Sequence, residues 1–160
     1  MRETALIVVW LMLISSGVSA NDEWPMFRGT NAGVATDHPD LPDHWSETEN
    51  VVWKVDIPGL GWSSPIIWGD HVFVTTAISD GKEPQPVKGL YDPGNAHGKT
   101  DAVAGHRWMV YDIDLQTGEI RWERELRAAS PTIKRHLKAS FASETPVTDG
   151  ERLYVYFGSI

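Results

Sequence analysis

The 160-residue sequence contains no cysteine. That absence excludes disulfide staples, thiolate metal sites and cysteine nucleophiles, and it leaves an exported form of the chain dependent on core burial alone. It also excludes lipid attachment after export, which requires a cysteine at the cleavage point. Basic residues are scarce: 14 Lys and Arg stand against 22 Asp and Glu, a net charge of −8. Such a chain has no electrostatic footprint for nucleic acid, and its charge favours neutral or cationic partners.

Several kinds of chemistry are missing as well. No Gly-x-Ser-x-Gly elbow supports a serine hydrolase. The histidines, at 38, 44, 71, 97, 106 and 136, show neither a short His-x-His spacing nor an i,i+4 pair with an adjacent Glu, so they read as solvated or hydrogen-bonded side chains and not as metal ligands. Gly94-Asn-Ala-His-Gly-Lys-Thr100 superficially resembles a phosphate loop. Its spacing is one residue short, however, with Pro93 where glycine belongs and no strand leading in. Asp37, Asp40 and Asp43 cluster in a proline-rich stretch without the glycine and distal Glu of a calcium loop.

Residues Met1–Ala20 have the pattern of a cleavable secretory signal. An apolar run from Ala5 to Ile14 is followed by the small residues Val18-Ser-Ala20, and then by the polar, helix-breaking Asn21-Asp-Glu-Trp-Pro25. The run is shorter than the about 20 residues that span a bilayer, so no stable membrane anchor is expected. Cleavage removes Arg2 and Glu3 together and leaves the mature charge at −8. The expected product is a soluble protein in the periplasm or outside the cell.

All the tryptophans but Trp10 follow the leader, and they punctuate short runs of period-two alternation. Val51–Ile57, Ser64–Trp68, His71–Ala77, Trp108–Asp114, Glu119–Glu125 and Arg152–Phe157 read as strands. Gly69-Asp70, Thr117-Gly118 and Asp149-Gly150 sit between them as tight turns. The only hint of helix after residue 20 is a turn or two within Pro131–Lys138. The fold class is therefore all-β, built of antiparallel hairpins.

An internal repeat sharpens this reading. Ser64-Pro65-Ile-Ile-Trp-Gly-Asp-His-Val-Phe-Val74 aligns without gaps on Thr145-Pro146-Val-Thr-Asp-Gly-Glu-Arg-Leu-Tyr-Val155, each copy being preceded by a Trp-bearing strand, at Trp53 and at Trp122. Repeated four-stranded antiparallel units are the composition of a β-propeller. Asp114-Leu-Gln-Thr117-Gly118-Glu-Ile-Arg-Trp122 adds a hairpin in which Asp114 can bond the turn amides, Gly118 supplies positive φ, and Trp122 can pack flat between layers.

Taken together these residues resemble the pyrroloquinoline-quinone-type (PQQ-like) propeller repeat. Its Trp-docking motif, Asp-x-x-Thr-Gly-x-x-x-Trp followed by a Ser-Pro strand, is matched by Asp114, Thr117, Gly118 and Trp122, and by Ser64-Pro65 with Thr145-Pro146 as the opening of successive blades. Asp112 stands where the repeat usually has alanine. The opening Trp24-Pro-Met-Phe-Arg-Gly29-Thr-Asn-Ala-Gly33, Val52-Trp-Lys-Val55 and Gly61-Trp-Ser-Ser-Pro65 are similar to the start of exported bacterial members.

The resemblance implies a leader over 1–20, an extended segment over 21–50, and over 51–160 the first one to two blades of a truncated propeller of seven or eight blades. It implies a binding or scaffold module and, as the alternative class, a quinone-dependent alcohol or sugar dehydrogenase. PQQ and calcium belong to that alternative, and nothing in these residues supports them: the vicinal cysteine pair that such dehydrogenases place over the cofactor is absent. No catalytic or metal-binding residue is assigned, Trp122 is expected to pack between blades, and the enzyme class is not favoured.

In an up-and-down blade, the connection from second to third strand and the connection to the next blade leave from one end. The long stretches 79 to 106 and 127 to 143 fall at those two places and far exceed the ordinary ~4 to 6 residues. A protein or small-molecule partner is expected at that long-loop face. N-terminal sequencing of secreted material should begin at Asn21; an intact Met1 would refute the leader.

Overall fold

A computed structural model describes residues 23–35, 37, 39–81, 104–133 and 139–160. The expected leader, the Gly94–Thr100 stretch and most of the Pro131–Lys138 turn lie outside these residues. Within them the protein is all-β, without helix.

Four strands form one antiparallel sheet in chain order: β1 (Ile66–Trp68), β2 (His71–Ser79), β3 (His106–Asp114) and β4 (Ile120–Ala129). A second, two-stranded sheet pairs β5 (Val147–Thr148) with β6 (Leu153–Tyr154). β2 and β3 pair without irregularity from His71↔Asp114 to Ser79↔His106. β3 and β4 carry two irregularities, which leave Arg121 and Leu126 as extra residues on β4. All three expected glycine turns are present, with positive φ at Gly69, Gly118 and Gly150.

Alternation along β2 and β3 divides the apolar residues between two faces. On one face Ala77 and Trp108 pack with Phe141, Ala142 and Phe157, so the chain after β4 folds back to cover it. On the other, Val72, Met109, Tyr111 and Ile113 are covered by Trp53, Val55 and Ile57. The sheet is thus a middle layer, with an earlier stretch of chain on one side and a later one on the other.

Two expected strands are corrected. Val51–Ile57 keeps its period-two alternation, with Trp53, Val55 and Ile57 turned inward, but belongs to no ladder. Its alternation reflects a chain lying across a sheet face, a pattern that burial alone produces. The expected Arg152–Phe157 strand is paired only over Leu153–Tyr154. Conversely, β2 and β4 run further than expected, to Ser79 and Ala129, which shortens the second long connection at its start.

Trp53 fixes the first covering layer. Its indole Nε1 donates to Leu115 O at 2.8 Å, and its ring lies so close over Gly118 that a Cβ there would approach Cδ2 to 2.6 Å. Gly118 also has φ +75°, so two constraints demand glycine. Trp53→Ala should cost about 2 to 4 kcal/mol, somewhat below a fully buried truncation because the ring is only partly covered. Gly118→Ala should also destabilise, and the double variant should cost clearly less than the two effects added, since both act on one contact. Urea unfolding of the three variants measures this; strict additivity would disprove the coupling.

Candidate functional site

Five linked polar side chains, Asp70, His71, Asp112, Asp114 and Arg121, gather at the tight-turn end of the four-stranded sheet. Asp114 closes β3 and organises the β3–β4 turn: its Oδ1 accepts from the Gln116 and Thr117 amides at 2.9 and 2.8 Å, and its carbonyl accepts from Gly118 N at 2.9 Å. Thr117 Oγ1 accepts from the Glu119 amide at 3.2 Å. This is the Asx arrangement expected for the motif.

Arg121, the extra residue of β4, reaches back over this turn. Its Nη2 donates to Asp114 Oδ2 and to Asp70 Oδ2, each at 2.5 Å. Asp70 lies in the β1–β2 turn, so one guanidinium clips the two tight turns together. A backbone bond reinforces the clip, Leu115 N donating to Asp70 O at 2.9 Å.

Beneath Arg121 lies a pair that spans β2 and β3. Asp112 is only 1% exposed, and its two carboxyl oxygens stand 2.9 and 3.0 Å from Nδ1 of the half-exposed His71. His71 stacks on Phe73 with 5.7 Å between ring centroids. With Nδ1–H donating to Asp112, Nε2 is left to accept from Arg121 Nη1 at 3.2 Å. Asp112 occupies the position where the repeat has alanine, and the histidine diagonally across the same face explains how a buried acid is tolerated there: it has a donor in reach.

Among the described residues no three His, Asp or Glu groups converge where a cation could sit. The tight-turn cluster carries a clip and a buried acid–imidazole pair. Its arrangement suits holding turns in place.

The repeat openings are brought together: Ser64 N donates to Thr145 Oγ1 at 2.9 Å, and Pro146 is fully buried. Asp149 repeats the Asp114 arrangement, its Oδ1 accepting from Glu151 and Arg152 amides at 2.9 and 2.7 Å, with Trp68 seated over Gly150. Trp122 stands apart from the other motif residues. It lies on exposed β4, 39% exposed, tilted against Phe73 at 6.1 Å with Arg124 over its ring. Sequence reasoning missed three participants: Trp53 as the partner of Gly118, Arg121 as the clip, and His71 as the partner of Asp112. A Trp-bearing stretch before each Ser/Thr-Pro copy, 12 positions ahead of Pro65 and 24 ahead of Pro146, is the signal that could have found the first. The unusual Asp112 hinted at the third. Most of the expected binding face, residues 82–103 and 134–138, lies outside the described residues.

The carboxylates of the turns are held acidic. Hydrogen bonding to Arg121, then to the Thr117 amide, lowers Asp114 well below the ordinary carboxylate range, and the Arg121 hydrogen bond is likewise the main cause at Asp70. Asp149 is lowered first by the Tyr154 hydroxyl and then by the Arg152 and Glu151 amides. A carboxyl depressed in the folded state contributes stability above its unfolded value, ~4, and loses that contribution as pH falls through the folded value. Unfolding midpoints should therefore fall as pH drops from about 5 to about 2, and Arg121→Gln should flatten that dependence by relieving Asp70 and Asp114 together. An unchanged slope in Arg121→Gln would show that the clip carries none of the acid sensitivity.

No family model, no curated protein and no solved structure matches this chain.

Proposed function

We propose that the chain is the opening part of an exported PQQ-like repeat β-propeller that acts as a binding or scaffold module, with its partner surface at the long-connection end. The observation that carries this reading is Trp53 docked on Gly118. An aromatic from a stretch of chain outside the ladder seats on the turn glycine of the four-stranded sheet, which is the kind of contact that a repeat of this type would use to stack one blade on the next. The meander order of β1 to β4 and the later chain covering the opposite face support the same reading. Trp122, at the corresponding place in the next repeat, is then the residue that docks on the turn of a following unit.

The end of the sheet chosen for binding follows from its connections. Short turns at 69–70 and 115–119 are tied down by Arg121, whereas the β2–β3 connection, 80–105, and the chain after Ala129 leave from the other end. Long connections on a rigid sheet are where recognition surfaces are usually built. The expected partner is a protein or small molecule of neutral or cationic character, in the periplasm or outside the cell, because net negative charge disfavours acidic ones.

Quinone-dependent oxidation of alcohols or sugars is the competing class. The cysteine pair that such enzymes place over the quinone is absent from this sequence. Adding pyrroloquinoline quinone and calcium to the full-length protein, with alcohols or aldoses and an artificial electron acceptor, should give no quinone-dependent turnover. Turnover that requires the quinone would overturn the scaffold reading.

A further inference from the structure

Two strand edges in the described structure are closed by one short piece of chain. β1 is the first strand of its sheet and β5 the first of the next, and neither has a partner strand on its other side. Trp24 exchanges both backbone hydrogen bonds with Ile67 of β1, each at 2.9 Å, and the next carbonyl, Pro25 O, accepts from Thr148 N of β5 at 3.0 Å. Two consecutive residues therefore join two sheets. Pro25 suits this place because it offers a carbonyl and no N–H, so nothing on it is left without a partner.

The segment is held by its own loop. The Trp24 ring sits over Gly29, where a Cβ would come within 2.7 Å of Cε3, and Gly29 has φ +63°. Gly29 N donates to Met26 O at 2.9 Å, and Gly33 N donates to Arg28 O at 2.5 Å. Arg28 and Ala32 also take positive φ, 64° and 54°, conformations that non-glycine residues keep only where their surroundings hold them. Pro25 and Gly29 are buried while Met26, Phe27 and Arg28 are exposed, as expected for a loop whose inner side alone is engaged.

We propose that Trp24–Gly33 is an intramolecular clasp. It takes the place of a strand on the free edge of β1, holds β5 beside it, and fixes the second sheet against the first. When it opens, the unpaired edges of β1 and β5 become available for strand addition by a second copy of this chain. The clasp stands on backbone bonds between described residues, so it does not depend on the propeller reading.

Gly29→Ala tests it in the full chain, because the added Cβ displaces the Trp24 ring in a segment remote from β2, β3 and β4. Hydrogen exchange read by mass spectrometry should accelerate about tenfold or more in peptides carrying Trp24 to Val34, Ile67 and Thr148, with β2 and β3 unchanged. Size-exclusion chromatography should show concentration-dependent association of the variant. Trp24→Ala, which removes the ring without adding strain, should give the same local pattern. Unchanged exchange at Ile67 and Thr148 in both variants would overturn the clasp, as would equal acceleration across every strand.

Discussion

The structure depends on the ladder between β2 and β3. It is the longest unbroken pairing among the described residues, and its parity decides which side of the sheet every other segment must cover. One slipped residue would turn Val72, Met109, Tyr111 and Ile113 away from Trp53, and Ala77 and Trp108 away from Phe141 and Phe157. The His71–Asp112 pair is tied to the same register, since Asp112 is adjacent in the ladder to Phe73 and reaches His71 only from that face. A buried acid with its donor on the neighbouring strand thus penalises any other alignment.

A second theme is the seating of tryptophan on glycine. Trp24 lies over Gly29, Trp53 over Gly118 and Trp68 over Gly150, and each of those glycines has positive φ. In each case the missing side chain serves two ends: it permits the turn and lets an indole lie flat against backbone. The contacts differ in reach. Trp24 closes its own loop, Trp53 ties an earlier stretch of chain to the first sheet, and Trp68 meets the turn of the second. Flat rings on bare backbone bury much area without the precise interdigitation of branched side chains, a joint that suits units stacked in series.

Much of this was legible in the sequence. The three glycine turns, β2, β3 and the start of β4 follow from alternation and turn chemistry, and the Asp114 turn was readable down to the amides that donate to its carboxylate. Pairing was less legible than pattern: Val51–Ile57 alternates because it lies on a sheet, and alternation cannot distinguish lying on a sheet from belonging to one. The Arg121 clip was hidden for a different reason. It depends on β4 carrying an extra residue at that point, and a bulge leaves no mark in a hydrophobic pattern when the strand is exposed along its length. The partner of Asp112 was likewise beyond sequence reach, because His71 lies 41 positions away and is brought diagonally across from it only by the ladder.

The two extra residues of β4 have an effect on the molecule's neighbours. β4 is an edge strand with most of its length open to solvent, the kind of surface that templates fibrils. Arg121 and Leu126 interrupt its regularity, leaving Trp122–Glu125 as the longest even stretch, with Arg127–Ala129 beyond it, and Glu123, Arg124 and Glu125 lie within the first. A foreign strand could follow that edge for four residues before losing register, and would meet two carboxylates while doing so. The residue that clips the turns together therefore also shortens the even run of edge that another strand could follow.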